Sequence, residues 1–168
     1  MKENQIKKLA VAGILVAVGV VCSPLNIPIG ASKCFPIQHM INVLAGVFLG
    51  PWYGMGMAFS TSLFRVSMGT GSLLAFPGSM CGAFLCGMVY QRTKNLIYTY
   101  VGEVFGTGVI GGLLAWPIAV LVMGKTAALF AYVMPFMVST VGGTLIAAAL
   151  IAALSKSGAL GVLQKAGR

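Results

Sequence analysis

The sequence predicts an all-α, polytopic membrane protein with six transmembrane helices and both termini in the cytoplasm, and three observations carry that expectation. Apolar residues make up 58% of the 168-residue chain and charged residues 8%, where a soluble domain carries about a quarter charged to keep its surface wet. The charges bracket long uncharged runs: residues 9–32, 34–64, 66–91 and 126–155 hold no Asp, Glu, Lys or Arg, and residues 95–124 hold Glu103 alone. A span needs about 20 apolar residues, so this length accommodates about six spans joined by short turns, as one domain over residues 1–168. Finally, Lys2, Lys7, Lys8, Arg92, Lys94, Lys156, Lys165 and Arg168 fall at the termini and between the fourth and fifth spans, against Lys33, Arg65 and Lys125 on the opposite side. Cytoplasmic loops carry the excess of Lys and Arg, which orients the chain.

The first helix is expected over about 9–22. Its basic leader of Lys2, Lys7 and Lys8 imitates a signal peptide, yet no small-x-small cleavage site follows, so the segment is kept as a span. Residues 23–36 contain Pro24, Pro28, Gly30 and Pro36, which favour turns and extended backbone, and read as a structured outer loop. Gly50-Pro51 divides the next uncharged stretch into helices over about 37–49 and 51–68, because Gly ends helices and Pro starts them. The turn Met68-Gly69-Thr70-Gly71-Ser72 leads into a fourth helix, about 72–90, whose Pro77-Gly78 is expected to free backbone groups and therefore to face protein or water. Helices over about 97–123 and 127–154 complete the set, with a kink expected at Pro135. Ala10, Gly13 and Ala17 share one face of the first helix, small enough for close approach either within the bundle or by a separate membrane subunit.

Several functions are excluded by composition. A net charge of +9 points to nucleic acid only where it clusters on a soluble scaffold, and here it marks loops and helix ends. Cys22, Cys34, Cys81 and Cys86 form no CxxC pair, so no disulfide, metal site or cofactor is expected. One His and no Asp leave no Ser-His-Asp triad and no paired carboxylates. Residues 119–126, AVLVMGKT, fit a relaxed phosphate-loop pattern, but they end an outward-running span with no strand before them. An intramembrane Ser or Cys hydrolase with His39 as base is the enzymatic reading that survives.

Polar side chains are scarce, and they gather on the outer half, where burial demands a partner or a cavity. Gln38, His39 and Asn42 open the second helix behind Phe35 and Pro36. With Ser72, Phe76 and Ser79 of the fourth helix they form a mixed aromatic and hydrogen-bonding wall suited to a small molecule, the alternative being a polar helix terminus at the interface. Trp116, Met134 and Ser139 extend that wall from the last two helices, although an aromatic at a membrane boundary is also an ordinary belt residue. Arg65 either snorkels outward or points toward an anionic ligand group. Glu103, near the inner end of the fifth helix, is expected to contact Arg92, Lys94 or a partner subunit rather than an outer ligand.

The runs KCFPIQHMINVLAGVFLGPWYG, RVSMGTGSLLAFPGSMCGAFLCGMVY and GEVFGTGVIGG resemble the ThiW family of substrate-binding (S) components of energy-coupling factor (ECF) transporters, over nearly the whole chain. The resemblance implies an S-component bundle in the bacterial cytoplasmic membrane that captures a thiamin precursor, hydroxyethylthiazole, from outside. It further implies work with a transmembrane coupling protein, onto which Ala10, Gly13 and Ala17 would dock, and two cytoplasmic ATPases, with toppling to release substrate inward. For such a ligand Phe35, Phe76 and Trp116 would sandwich the ring, and Gln38, His39, Asn42, Ser72, Ser79 and Ser139 would supply donors and acceptors. The loop around Ile29–Cys34 would close over it, and Lys33 and Arg65 would matter more if it were phosphorylated. Another vitamin-like heterocycle is the alternative substrate. A passive channel or structural subunit is the alternative class, although a channel needs like polar groups through its full depth.

Overall fold

The computed structural model describes residues 2–29 and 32–158, and its long elements are all helical. In chain order they are α1 (Lys2–Val21), a hairpin of β1 (Ile27–Ile29) and β2 (Ser32–Cys34), α2 (Pro36–Phe48), α3 (Pro51–Ser67), α4 (Ala75–Thr93), α5 (Leu96–Val122) and α6 (Val133–Lys156). Gly30 of the expected loop, and the tail bearing Lys165 and Arg168, lie outside the described residues. By length and composition α1, α5 and α6 are long and apolar enough to cross a membrane.

The bundle is organised around α2, which has 13 residues and so a length of roughly 20 Å at 1.5 Å per residue. Every residue from Ile41 to Gly50 is buried. Ile41, Val43, Leu44, Val47 and Phe48 pack with Met57 of α3, Cys86 of α4 and Ala147 and Ile151 of α6 into the main core. Among lipid-facing helices such contacts hold by close packing rather than by removal from water. Pro36 stands in the first turn of α2, and at the other end Gly50, with φ +86°, turns the chain into Pro51 at the start of α3. That left-handed φ is open to glycine and strained for other residues.

Two prolines read as interruptions are helix starts. Pro77 and Pro135 fall at the third positions of α4 and α6, where an N–H has no intrahelical partner to lose. Neither helix breaks there, and residues 127–132 form turns instead of the expected first turns of the last helix. α1 begins earlier than expected, its first turn joined by an ion pair of Lys7 Nζ with Glu3 Oε1 at 2.8 Å. The loop between α1 and α2 contains an antiparallel hairpin pairing Ile27 with Cys34 and Pro28 with Lys33. Asn95 caps α5 by accepting from the Ile97 N–H at 2.9 Å. Within α5, Phe105–Gly111 and Ile118–Val122 widen to π-helix, the second directly after Pro117, which has no N–H to give the ladder.

α1 lies along α2 and α3 and touches Thr61 and Ile41 through Gly19, where an added Cβ would stand 2.7 Å from Thr61 Cγ2. Ala10, Gly13 and Ala17 face the other way. All three are exposed, and an added Cβ on Gly13 would meet nothing within 4 Å, so this small face is not used inside the bundle.

Candidate functional site

At the end of the bundle where α3 stops and α2, α4 and α6 begin, the hairpin and the α3–α4 turn close over a cavity of about 450 Å3. Of the residues the sequence singled out, Lys33, Phe35, Gln38, His39, Arg65, Ser72, Ser79 and Ser139 line it. Asn42 lies directly beneath, fully buried. Three others stand elsewhere. Phe76 packs on Phe59 with ring centroids 5.4 Å apart, Trp116 Nε1 donates to the Ala127 carbonyl at 2.9 Å, and Met134 is 70% exposed. For Trp116 the reason is the late start of α6: the segment before Val133 packs on it, through the Ala127 carbonyl and Tyr132. Lining residues missed in the sequence include Pro28, Thr70, Gly78, Lys125 and Phe136. Phe136, one residue past Pro135 and three before Ser139, was open to detection by helical spacing.

The cavity floor is a hydrogen-bonded chain that crosses the bundle. Arg65 Nη1 donates to Gln38 Oε1 at 3.3 Å, Gln38 Nε2 donates to Asn42 Oδ1 at 3.3 Å, and Asn42 Nδ2 reaches Glu103 Oε1 at 3.1 Å and the Ser79 carbonyl at 3.2 Å. His39 Nδ1 lies 3.1 Å from the same Glu103 oxygen, and Thr107 Oγ1 lies 3.0 Å from it and 3.1 Å from the Gly78 carbonyl. Gly82 makes room for this convergence: a Cβ there would stand 2.7 Å from Glu103 Oε2 and collide with Thr107.

Glu103 therefore sits in the middle of the protein, not against Arg92 or Lys94. The expectation failed because α2 is short. A helix of about 20 Å carries His39 and Asn42, in its first two turns, down to the depth that Glu103 reaches from the opposite end. Arg65 does not snorkel either. It is 1% exposed, its guanidinium carbon lies 3.8 Å from the centroid of the Phe35 ring, and its Nε and Nη2 have no partner.

The roof is tied down by side chains of the hairpin and its flanks. Cys34 Sγ donates to the Pro135 carbonyl at 3.2 Å, the Phe35 N–H donates to Ser139 Oγ at 2.7 Å, and Ser23 Oγ donates to Thr70 Oγ1 at 2.9 Å. Cys34 is buried, and that burial pushes its thiol above the ordinary range, with Ser139 offsetting part of the effect.

Membrane-length apolar helices closing a solute-sized, partly polar chamber at one end define the class: a polytopic helical membrane protein organised around a small-molecule cavity. The family model described as thiamine-precursor transporter protein (ThiW) matches residues 9–157. The chain belongs to the ThiW family, and it is a transporter rather than an enzyme. Among curated proteins and solved structures no match was found.

Proposed function

We propose that the chain is the substrate-capturing S component of an ECF transporter, with six spans and both termini in the cytoplasm of a bacterium, and that it takes hydroxyethylthiazole from outside. The cavity carries this reading. At about 450 Å3 it has room for a heterocycle of this size, and it offers the Phe35 and Phe136 rings with the hydrogen-bonding groups of Gln38, His39, Ser72, Ser79 and Ser139. A thiazole with a hydroxyethyl arm asks for that combination: aromatic contact for a flat polarizable ring, a donor for the ring nitrogen and a partner for one hydroxyl. Asn42 acts from below by holding Gln38. The hairpin supplies a lid that excludes water.

Delivery then falls to partners. The exposed small face of Ala10, Gly13 and Ala17 supports docking on a transmembrane coupling protein, with two cytoplasmic ATPases driving a tilt of the loaded component.

Calorimetric titration of the detergent-purified protein with hydroxyethylthiazole, thiamin and the pyrimidine moiety tests the substrate. Binding of the thiazole in preference to the other two is expected, and His39→Ala is expected to weaken it about tenfold, as loss of one buried hydrogen bond does. Absence of heat with any thiazole, or equal binding of all three, removes the substrate assignment. Unchanged affinity in His39→Ala removes that residue from the site.

A further inference from the structure

We infer that the cavity grips its ligand by an anionic oxygen group, so that the preferred solute is a phosphate monoester of a small heterocyclic alcohol rather than the free alcohol; this rests on the capture function proposed above. Two features of the chamber converge on it. The first is charge. Lys33, Arg65 and Lys125 line the cavity, and no carboxylate does. Glu103 lies below the floor, its Oε1 engaged by His39, Asn42 and Thr107.

The second is the orientation of Arg65. Of its three guanidinium nitrogens, Nη1 is committed to Gln38, while Nε and Nη2 have neither a protein partner nor access to water. Those two form one edge of the guanidinium, the fork that meets two oxygens of a phosphate or carboxylate in parallel hydrogen bonds. Phe35, stacked at 3.8 Å, and Gln38 hold the plane in place. Leaving two donors of a buried cation unmatched is unfavourable, and a neutral alcohol oxygen satisfies at most part of the edge.

A phosphate monoester carries a charge of about −1.5 to −2 at neutral pH, which matches the cations of the lining.

The test is calorimetric titration of the full chain in detergent with three probes: hydroxyethylthiazole, its phosphate monoester and inorganic phosphate. The ester is expected to bind about 10- to 100-fold more tightly than the alcohol, and Arg65→Gln to reduce that preference to below about threefold. Arg65→Lys, which keeps the charge but not the fork, is expected to fall between. If Arg65→Gln fails to fold, the pair Lys33→Gln and Lys125→Gln, both at exposed positions, carries the test by lowering affinity for the ester several-fold; an unchanged preference in that variant overturns the inference. Alcohol binding as tightly as ester overturns it while leaving the thiazole reading intact. Inorganic phosphate competing as well as the ester reduces the site to a general anion site and overturns it too. No heat from either thiazole removes the capture function itself, and the inference with it.

Discussion

Glu103 is where the physical account of the site is most exposed to test, through the pair of variants Glu103→Gln and Glu103→Ala. Both remove the charge, so the desolvation of a buried carboxylate drops out of the comparison between them. Gln keeps a carbonyl oxygen where Oε1 accepts from His39, Asn42 and Thr107. Ala removes the acceptor, but Asn42 retains the Ser79 carbonyl at 3.2 Å and Thr107 the Gly78 carbonyl at 3.1 Å. His39 Nδ1 and one amide N–H of Asn42 are orphaned, together at about 2–4 kcal/mol. The truncation also leaves a void of about 50 Å3, which at roughly 24 cal/mol per Å3 adds about 1 kcal/mol. Against this, the Gln amide NH2 takes the position of Oε2, where no partner stands, and gives back about 1 kcal/mol. Glu103→Ala is therefore expected to be less stable than Glu103→Gln by about 2–4 kcal/mol. For a chain of this length that separates their midpoints by about 5–15 °C. Thermal unfolding in detergent, followed by tryptophan fluorescence, reads the difference. Coincident midpoints would refute the claim that Glu103 serves as the acceptor on which these three donors converge.

Two further expectations concern the edges of the site. In a variant whose other cysteines are Ser, Cys34 is expected to react with N-ethylmaleimide at least tenfold more slowly than an exposed thiol. It is 1% exposed, and its raised pKa keeps the thiolate scarce, so the rate goes on climbing at pH values where an ordinary cysteine has levelled off. Labelling at the rate of an exposed cysteine shows that the hairpin does not stay docked on α6. Trp116→Phe removes the bond to the Ala127 carbonyl and is expected to lower stability by about 0.5–1.5 kcal/mol without changing ligand affinity; a fall in affinity places Trp116 back at the cavity.

The helical nature of the chain and the approximate ends of its central helices were legible in its charge-free runs and in Gly50-Pro51, because both reflect local rules. Eight of the twelve candidate binding residues line one cavity, since scarce polar side chains in so apolar a chain had few other places to go. What was not legible is what depends on lengths that tertiary packing sets. The charge-free runs imply helices that cross the full thickness of a membrane, and α2, with 13 residues enclosed by its neighbours, does not. That single departure moves Glu103 from the periphery to the centre. The late start of α6 is of the same kind: residues 127–132 are apolar enough to read as helix, yet they are drawn into turns that seat Trp116 and Tyr132 against Ala115 and Ala119.

The prolines connect these failures to the site. Pro36, Pro77 and Pro135 each occupy the first turn of a helix, and each of those first turns borders the cavity. A proline in the first turn fixes φ and forfeits an N–H that has no partner there, so it sets where a helix begins more sharply than an apolar run does. Three helices made to begin short of the full depth leave a chamber above them. Read as interruptions, the prolines predict kinks in long spans; read as starts, they account for the cavity and its position at one end. The distinction turns on how much helix precedes each proline, which is none before Pro36 and two residues before Pro77 and Pro135.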